Sequence, residues 1–368
     1  MAAKIKEGKD IFPVIMAGGS GTRFWPRSRE KRSKQFLSIL QKKSLIEATL
    51  RRFQTMVENE NILIVTREEQ KTELVKHIDH VPEENILFEP VGRNTAPCIG
   101  LAALHVRKKN PDGVMIVTPA DHLIRKEIKF RKSMEAAVSL ARENEVVVTL
   151  GIYPDRPSTG YGYIQIDQNL VLVNGIETYT VKTFAEKPNL ATAERFLESG
   201  DFYWNSGIFA FKASHILSLV ETCMPELYDE LMEIDQSIGT NKYKKTVENV
   251  YKDMKSISID YGIMEKTKNV CMVNGAFGWN DLGSWEQIYK LSLKDKNGNA
   301  VNGDGDVVLL DTKNSYVYNS DGLIAVLGLE DIIVVQDAGA MLICKRDRAE
   351  EVKSIVNRIK RNKLQRYL

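Results

Sequence analysis

The sequence predicts an α/β fold, in which a mixed, mostly parallel sheet is flanked by helices and followed by a small β module. Apolar, β-branched runs alternate with amphipathic stretches through the first half of the chain, a pattern typical of strand–helix units. A polar stretch over 294–305 is rich in Gly, Asn and Asp, and short β-branched runs separated by turn residues follow it. We therefore expect two domains, one over 1–292 and one over 293–368.

The first domain contains eight runs with the composition of strands. They are 11–16, 61–66, 86–88, 113–118, 146–151, 163–166, 180–185 and 207–212. Stretches between the first five runs carry apolar residues at helical spacing, namely 45–57, 68–77, 97–108 and 130–143. Because the first strands are continuously apolar, both faces of the sheet should be covered by helices. Ligands of such sheets bind beyond the carboxyl ends of the strands, so we expect the site at that edge.

The second domain is predicted to be all β until its last segment. Its candidate strands are 307–310, 315–318, 323–327, 332–336 and 340–343. Residues 348–364 then place Val, Ile and Leu at near-helical spacing, which predicts a terminal helix with a solvated basic face.

Charge and composition exclude several classes of protein. The 51 Lys and Arg nearly balance the 49 Asp and Glu, which excludes the one-sided basic surface of a nucleic-acid-binding protein. The four cysteines are dispersed without a C-x-x-C pair, which favours free thiols over disulfides or zinc. No run approaches the roughly 20 apolar residues of a membrane span, and residues 1–10 are polar. We expect a cytoplasmic protein without nucleic-acid or membrane partners.

A glycine-rich turn follows the first predicted strand. It contains Gly18, Gly19 and Gly21, which permit positive φ angles and a close approach of the backbone to a ligand. Arg23 and Lys34 bring cations to the same end of the strand. The turn therefore predicts a polyphosphate site.

Two common phosphate loops do not fit this turn. No Lys-Ser or Lys-Thr follows Gly21, as a Walker A loop requires, and Phe24 occupies the position of the third glycine of a Rossmann fingerprint. An ordinary β–α turn that happens to be rich in glycine is the alternative.

Two acidic residues lie in motifs rich in Gly, Pro and Trp. Asp121 lies in TPADH, after a predicted strand, and Asp281 lies in GWNDLGSW. One or two carboxylates near phosphates are sufficient for Mg²⁺, because the ion keeps several of its waters. The pair predicts a magnesium site, while a turn or helix cap is the alternative for each residue alone.

Other segments carry polar groups suited to a sugar phosphate or a base. In FAEKP, Lys187 offers a cation for a second phosphate and Glu186 can accept hydrogen bonds from sugar hydroxyls. Asn205 in WNSG offers an amide, and residues 158–163 form a tight turn. The loop 89–97 enters a helix at a position suited to a nucleotide base. For FAEKP and WNSG, the alternative is a strand end or a surface ion pair. For the turn over 158–163, the alternative is a plain hairpin.

Together these segments resemble the sugar nucleotidyltransferase family, and within it the bacterial mannose-1-phosphate guanylyltransferases. Eight segments match in order: AGGSGTRFWPRSREKRSKQFL, EPVGRNTAP, TPADH, STGYGYIQ, FAEKP, WNSGIFAF, SIDYGIMEK and GWNDLGSW. Three of these segments, EPVGRNTAP, WNSGIFAF and GWNDLGSW, indicate the branch of the family that uses mannose 1-phosphate and GTP. One departure is Ser33, where many relatives have proline, and it bears on how rigidly Lys34 is presented.

The resemblance implies a Rossmann-like (GT-A-like) catalytic domain over 1–292 and a short left-handed β-helix-like module over 293–368 that takes part in a homodimer. It also implies an activity, the Mg²⁺-assisted transfer of GMP from GTP to α-D-mannose 1-phosphate, which gives GDP-mannose and pyrophosphate. One alternative is a related enzyme that uses another nucleotide or another hexose 1-phosphate. The other is a non-catalytic paralogue that binds sugar nucleotides. Bifunctional relatives carry an additional isomerase domain, for which we expect this chain to be too short.

By the same resemblance, individual residues acquire expected roles. The nucleotide is held by Gly18, Gly19, Gly21, Thr22, Arg23, Glu89, Arg93, Asn94 and Asp121. The sugar phosphate is held by Gly162, Glu186, Lys187 and Asn205. The metal ligands are Asp121 and Asp281. The catalytic set is Arg23, Lys34, Asp121, Lys187 and Asp281.

Overall fold

The chain forms two structural units in a computed structural model that describes residues 8–19 and 21–368. Ser20 of the glycine-rich turn, and residues 1–7 of the predicted first domain, lie outside the described residues. The first unit comprises Met1–Gly18, Thr49–Lys71 and Ile78–Asn280. The second comprises Gly19–Ala48, Thr72–His77 and Asp281–Leu368. The domain boundary predicted near residue 292 stays a proposal.

The strands of the first unit form one large sheet and one short pair. They are β1 (Ile11–Met16), β2 (Leu63–Arg67), β3 (Ile86–Glu89), β4 (Val114–Pro119), β5 (Leu123–Ile124), β6 (Val147–Ile152), β7 (Tyr163–Val173), β8 (Ile176–Ala185), β9 (Phe202–Lys212), β10 (Val270–Asn274) and β11 (Trp279–Asn280). The nine-stranded sheet has the order β3-β2-β1-β4-β9-β6-β10-β8-β7, and β5 pairs with β11. Seven of its nine strands run in one direction, and β8 and β9 run in the other.

Helices connect these strands. They are α1 (Leu45–Gln54), α2 (Lys71–Leu74), α3 (Thr95–Lys109), α4 (Glu127–Glu143), α5 (Leu190–Ser199), α6 (Ala213–Cys223), α7 (Pro225–Ser237) and α8 (Tyr243–Asp253). A π-helical turn spans Asp260–Met264. The helices α3, α6 and α7 pack together, and fully buried Leu101, Ile216 and Leu231 belong to the core that they share with the sheet. Within the described ranges, no helix is both long and apolar enough to cross a membrane.

The structure differs from the sequence prediction in several local features. The predicted helix over 68–77 is a 3₁₀ turn, Glu68–Gln70, followed by the short α2. The two runs near 163 and 180 extend into the long hairpin β7–β8, which turns at Asn174 and Gly175 with φ angles of 51° and 75°. An Asn-Gly pair is the strongest local signal for such a turn. Strands β5, β10 and β11 were not predicted.

The second unit contains the predicted β module. Its strands are β12 (Ala300–Asn302), β13 (Asp306–Leu310), β14 (Tyr316–Asn319), β15 (Leu323–Leu327), β16 (Ile332–Asp337) and β17 (Ala340–Lys345). Parallel ladders join β12, β14 and β16, and a second ladder joins β13 and β15. Each ladder stacks one coil of chain on the next, which is a β-helix-like arrangement, and Val317, Ile324 and Val334 fill its interior.

Two helices complete the second unit, α9 (Trp285–Leu291) and α10 (Val352–Arg361). The helix α10 is shorter than the predicted 348–364, because a 3₁₀ segment, Arg346–Glu351, precedes it. The segment that follows the glycine-rich turn also belongs to this unit. Trp285 Nε1 donates to the Trp25 carbonyl at 3.1 Å, and the Arg27 guanidinium lies 4.0 Å from the centre of the Tyr318 ring.

Candidate active site

The first unit places several predicted site residues beyond the carboxyl ends of parallel strands. Gly18 follows β1, Glu89 ends β3, and Asp121 follows β4. The strands β1, β2, β3 and β4 are parallel neighbours, so these residues share one edge of the sheet. A Cβ on Gly18 would lie 3.4 Å from Glu89 Oε2, so two residues predicted to bind the nucleotide are close together.

Glu89 is a buried acid at this edge. Burial raises the pKa of its carboxyl to about 8, and interactions with Tyr251 and Arg67 oppose part of that rise. Its Oε1 atom is buried and has no hydrogen-bond partner among the described residues. An unpaired buried acceptor is costly, so stability alone does not explain this carboxyl, and its predicted role in binding the nucleotide stays a prediction.

Arg93 and Asn94 hold the start of α3. Arg93 Nε donates to the Tyr251 carbonyl at 2.8 Å, and its guanidinium also donates to the Lys252 carbonyl near the end of α8. Asn94 has a φ of 70° and caps α3 by accepting a hydrogen bond from Thr95 N at 2.9 Å. These contacts are to the backbone, and the predicted contacts of both residues with a base stay predictions.

The residues predicted to bind the sugar phosphate lie together. A Cβ on Gly162 would lie 2.4 Å from Glu186 Oε2 and 3.4 Å from Asn205 Cβ, so the glycine packs directly against both side chains. Lys187 Nζ donates to Glu186 Oε1, and the Lys187 backbone has a φ of 49°. The Glu186 side chain is 7% exposed, whereas that of Lys187 is 56% exposed and can reach a ligand.

Asp260 joins this cluster and was not assigned from the sequence. Asn205 Nδ2 donates to Asp260 Oδ1 at 2.8 Å. Burial, and then the nearby Glu186, raise the pKa of the Asp260 carboxyl to about 6. The residue lies in SIDYGIMEK, a segment that the resemblance includes but in which it implies no role. Only the fold shows that this acid meets Asn205.

Asp121 lies beside an imidazole in the first unit, and that imidazole is bonded to an indole. Its Oδ1 atom lies 3.9 Å from His122 Nε2, and Trp279 Nε1 donates to His122 Nδ1 at 3.0 Å. In the short β5–β11 pair, Asn280 is the partner of Leu123. Sequence reasoning did not predict that His122 lies beside this acid and that Trp279 bonds to His122.

The second unit contains Gly19, Gly21, Thr22, Arg23, Lys34 and Asp281. Gly21 has a φ of 56°, and a Cβ there would lie 2.3 Å from Lys34 Cβ, so only glycine allows this approach. Lys34 is buried, and its Nζ donates to the Asp281 backbone carbonyl at 2.5 Å. Thr22 begins a 3₁₀ turn that includes Arg23, whose side chain is exposed. Ser33 has a φ of −69°, a value that proline also adopts.

No group of three or more His, Cys, Asp or Glu side chains within residues 8–19 and 21–368 converges as a metal site. A pair of carboxylates is compatible with Mg²⁺, which takes few ligands from the protein. The predicted magnesium ligands Asp121 and Asp281 belong to different units and stay a prediction.

The nucleotidyl transferase family model matches residues 12–298. The chain belongs to this family. A second model, for the MannoseP isomerase/GMP-like beta-helix domain, matches residues 305–359. The predicted fold class, an α/β nucleotidyltransferase domain followed by a β-helix-like module, is therefore confirmed.

Curated relatives cover nearly the whole chain. An Escherichia coli mannose-1-phosphate guanylyltransferase is 36% identical over 354 residues, which are 95% of this chain and 75% of that protein. The xanthan biosynthesis protein XanB of Xanthomonas campestris is 40% identical over 354 residues, which are 95% of this chain and 73% of that protein. A solved structure from Thermus thermophilus, described as a mannose-1-phosphate geranyltransferase, is 34% identical. It matches with a TM-score of 0.86 over 95% of this chain and 99% of that one. The predicted resemblance to the mannose-1-phosphate guanylyltransferases is confirmed.

Proposed function

We propose that this member of the nucleotidyl transferase family transfers GMP from GTP to α-D-mannose 1-phosphate, giving GDP-mannose and pyrophosphate. The observation that carries the proposal is the cluster of Gly162, Glu186, Lys187 and Asn205 at one place in the first unit. Its chemistry suits a sugar phosphate, because a carboxylate and an amide can bind hydroxyl groups while an exposed ammonium binds phosphate. The relatives named for mannose 1-phosphate support this choice of substrate.

In this reaction a phosphate oxygen of mannose 1-phosphate attacks the α-phosphorus of GTP. A new phosphorus–oxygen bond forms to the sugar phosphate, the bond between the α-phosphorus and its bridging oxygen breaks, and pyrophosphate leaves. Both reactants are polyanions, so the protein must orient them and offset their repulsion. We assign Lys187 to the attacking phosphate, Lys34 to the α-phosphate and Arg23 to the departing pyrophosphate.

The chemistry of the donors fits magnesium. The Asp121 side chain is 33% exposed. A Cβ on Gly283 would lie 3.0 Å from Asp281 Oδ2, so the glycine keeps that carboxylate uncrowded. Mg²⁺ held by these oxygens would supply positive charge to the phosphates when bound. A homodimer and a location in the cytoplasm belong to the same proposal.

The test is a panel that measures pyrophosphate release. GTP, ATP, UTP and dTTP are each combined with mannose 1-phosphate and with glucose 1-phosphate, and one arm omits Mg²⁺. We expect release with GTP and mannose 1-phosphate, and a loss of release without the metal. A different preferred pair would replace the proposed substrates within the same family. Tight binding of GDP-mannose without any release would instead indicate a non-catalytic binding protein.

A further inference from the structure

Asp260 occupies a position that stability alone does not explain. It lies against Asn205 and near Glu186, so two acids occur close together while the ammonium group of Lys187 is bonded to Glu186. Both the burial and the second acid oppose ionisation of Asp260. An asparagine could make a similar hydrogen bond to Asn205 without this electrostatic cost. A costly acid in a ligand site is more often functional than structural.

The hydrogen bonds around Asn205 leave its amide a single orientation. Gly207 N donates to Asn205 Oδ1 at 3.0 Å, and since a backbone N–H can only donate, the amide oxygen must face Gly207. The amide nitrogen then faces Asp260 Oδ1 at 2.8 Å. The backbone of Asn205 is fixed as well, because its N–H donates to the Gly162 carbonyl at 2.8 Å.

These contacts also define what the Asn205 amide still offers. Nδ2 carries two hydrogens, and Asp260 accepts one of them. The second hydrogen is the one that a substrate oxygen can accept. Asp260 and Gly207 hold its direction together, because rotation of the amide would turn an oxygen toward a carboxylate and break the bond from Gly207.

We propose that Asp260 is a positioning residue for the sugar-phosphate end of the site, where it fixes the Asn205 amide so that one N–H points to the sugar phosphate. This inference rests on the function proposed above and deepens it. Asp260 acts through Asn205 and needs no contact with the reacting atoms. Losing it affects binding of the sugar phosphate more than binding of GTP.

The experiment compares Asp260→Leu, which cannot accept a hydrogen bond, with Asp260→Asn, which can. Asp253→Asn is the matched control, because it removes an exposed carboxylate from the same stretch of chain. We expect Asp260→Leu to raise KM for mannose 1-phosphate about 10–100-fold, the effect of losing a charge-assisted hydrogen bond. KM for GTP should stay within about twofold, and Asp260→Asn, which keeps an acceptor for Asn205 without the charge, should restore part of the loss.

A purely structural role would give a different pattern. Equal changes in both KM values together with a lower Tm, or an unchanged KM for mannose 1-phosphate in Asp260→Leu, overturn the proposal. Calorimetric binding of mannose 1-phosphate to the same variants separates this proposal from the proposed function. If wild-type protein binds the sugar phosphate but releases no pyrophosphate, the proposed function alone is contradicted. The ratio of the mannose 1-phosphate Kd of Asp260→Leu to that of wild type then still decides the role of Asp260. Wild-type protein with neither binding nor turnover overturns both.

A pH series provides a second readout. Among the described residues, Glu186 raises the pKa of Asp260 and Lys187 lowers it, and that pKa is about 6. Below that pH the wild-type carboxyl is neutral, as the amide of Asp260→Asn is at every pH. The ratio of wild-type to Asp260→Asn kcat/KM should therefore approach one as the pH falls below about 6, while ionisation of the substrate phosphate cancels in the ratio. A ratio that stays constant with pH contradicts a role for the ionised Asp260.

Discussion

Lys34 Nζ donates to the backbone carbonyl of Asp281 at 2.5 Å, across 247 positions of sequence. The lysine is buried, and its ammonium also lies 5.7 Å from the centre of the Phe24 ring. Two residues predicted to be catalytic therefore meet inside the second unit. A buried ammonium held by a carbonyl is pre-oriented, because its long side chain has little freedom left to lose when a phosphate binds.

Lys34→Met tests this arrangement. Methionine has a similar length without the charge, so the fold should be retained while the cation is lost. We expect kcat for GDP-mannose formation to fall roughly 10²–10³-fold, as is typical when one well-placed stabilising group is removed. Lys31→Met, at an exposed position, is the control and should keep wild-type turnover. Near-normal kcat in Lys34→Met would remove Lys34 from the mechanism.

Gly21→Ala tests the close approach of the glycine-rich turn to Lys34. Alanine would have to adopt a φ of 56° and place its Cβ 2.3 Å from Lys34 Cβ. We expect a free energy of unfolding lower by about 2 kcal/mol, together with loss of activity as Lys34 is displaced. Gly19→Ala adds a Cβ that has no atom of the described, non-adjacent residues within 4 Å, and it should leave the Tm unchanged. Equal Tm values for the two variants would contradict this explanation.

The last residues of the chain are bonded to the segment after the glycine-rich turn. Trp25 Nε1 donates to the Tyr367 carbonyl at 2.8 Å, and Lys360 pairs with Glu30 at 2.7 Å. Deletion of 365–368 removes the acceptor of a part-buried indole N–H, and a lost hydrogen bond of this kind costs about 1 kcal/mol. We expect a lower Tm and a higher KM for GTP, measured by thermal unfolding and pyrophosphate release. Lys360→Ala breaks only the exposed ion pair and should change neither quantity by much.

The buried Glu89 predicts a specific dependence of stability on pH. Its folded pKa of about 8 lies above its usual value of 4.5, so folding takes up a proton between these limits. Stability should therefore fall as the pH rises through this window, by up to about 1.4 kcal/mol per pH unit from this group. Urea unfolding of wild type and Glu89→Gln from pH 6 to 9 should show the difference, while exposed Glu84→Gln should keep the wild-type slope. Parallel profiles for wild type and Glu89→Gln would contradict the raised pKa.

Asp121→Ala and Lys187→Ala test the remaining charges of the proposed site. Both should lower kcat/KM roughly 10²–10³-fold with an unchanged Tm, because their side chains are partly exposed and contribute little to the core. For Asp121→Ala, the Mg²⁺ concentration that gives half-maximal activity should also rise. Lys182→Ala, at an exposed strand position, serves as the charge-matched control for Lys187. Turnover close to wild type in either site variant would exclude that residue from the reaction.

Local patterns in the sequence were sufficient to predict many of the strands. The run over 11–16 and the five β-branched runs of the second domain appear as strands near their predicted limits, because strand propensity and turn chemistry act over a few residues. The length of the helix predicted over 68–77 was overestimated. Apolar spacing in this stretch fits a longer helix and does not show that the α-helix is limited to α2.

The candidate residues of the sugar-phosphate end were also identified from the sequence, but their arrangement was not. Gly162, Glu186 and Asn205 belong to different strands and loops, and nothing local to any of them shows that Asp260 completes the cluster. Likewise, the motif that contains Lys34 carries no sign of its contact with the carbonyl of Asp281. Composition and spacing determined which residue types were available and where strands ended. Tertiary packing decided which of them meet, because contacts between distant segments depend on the register and burial of the whole chain rather than on any short stretch.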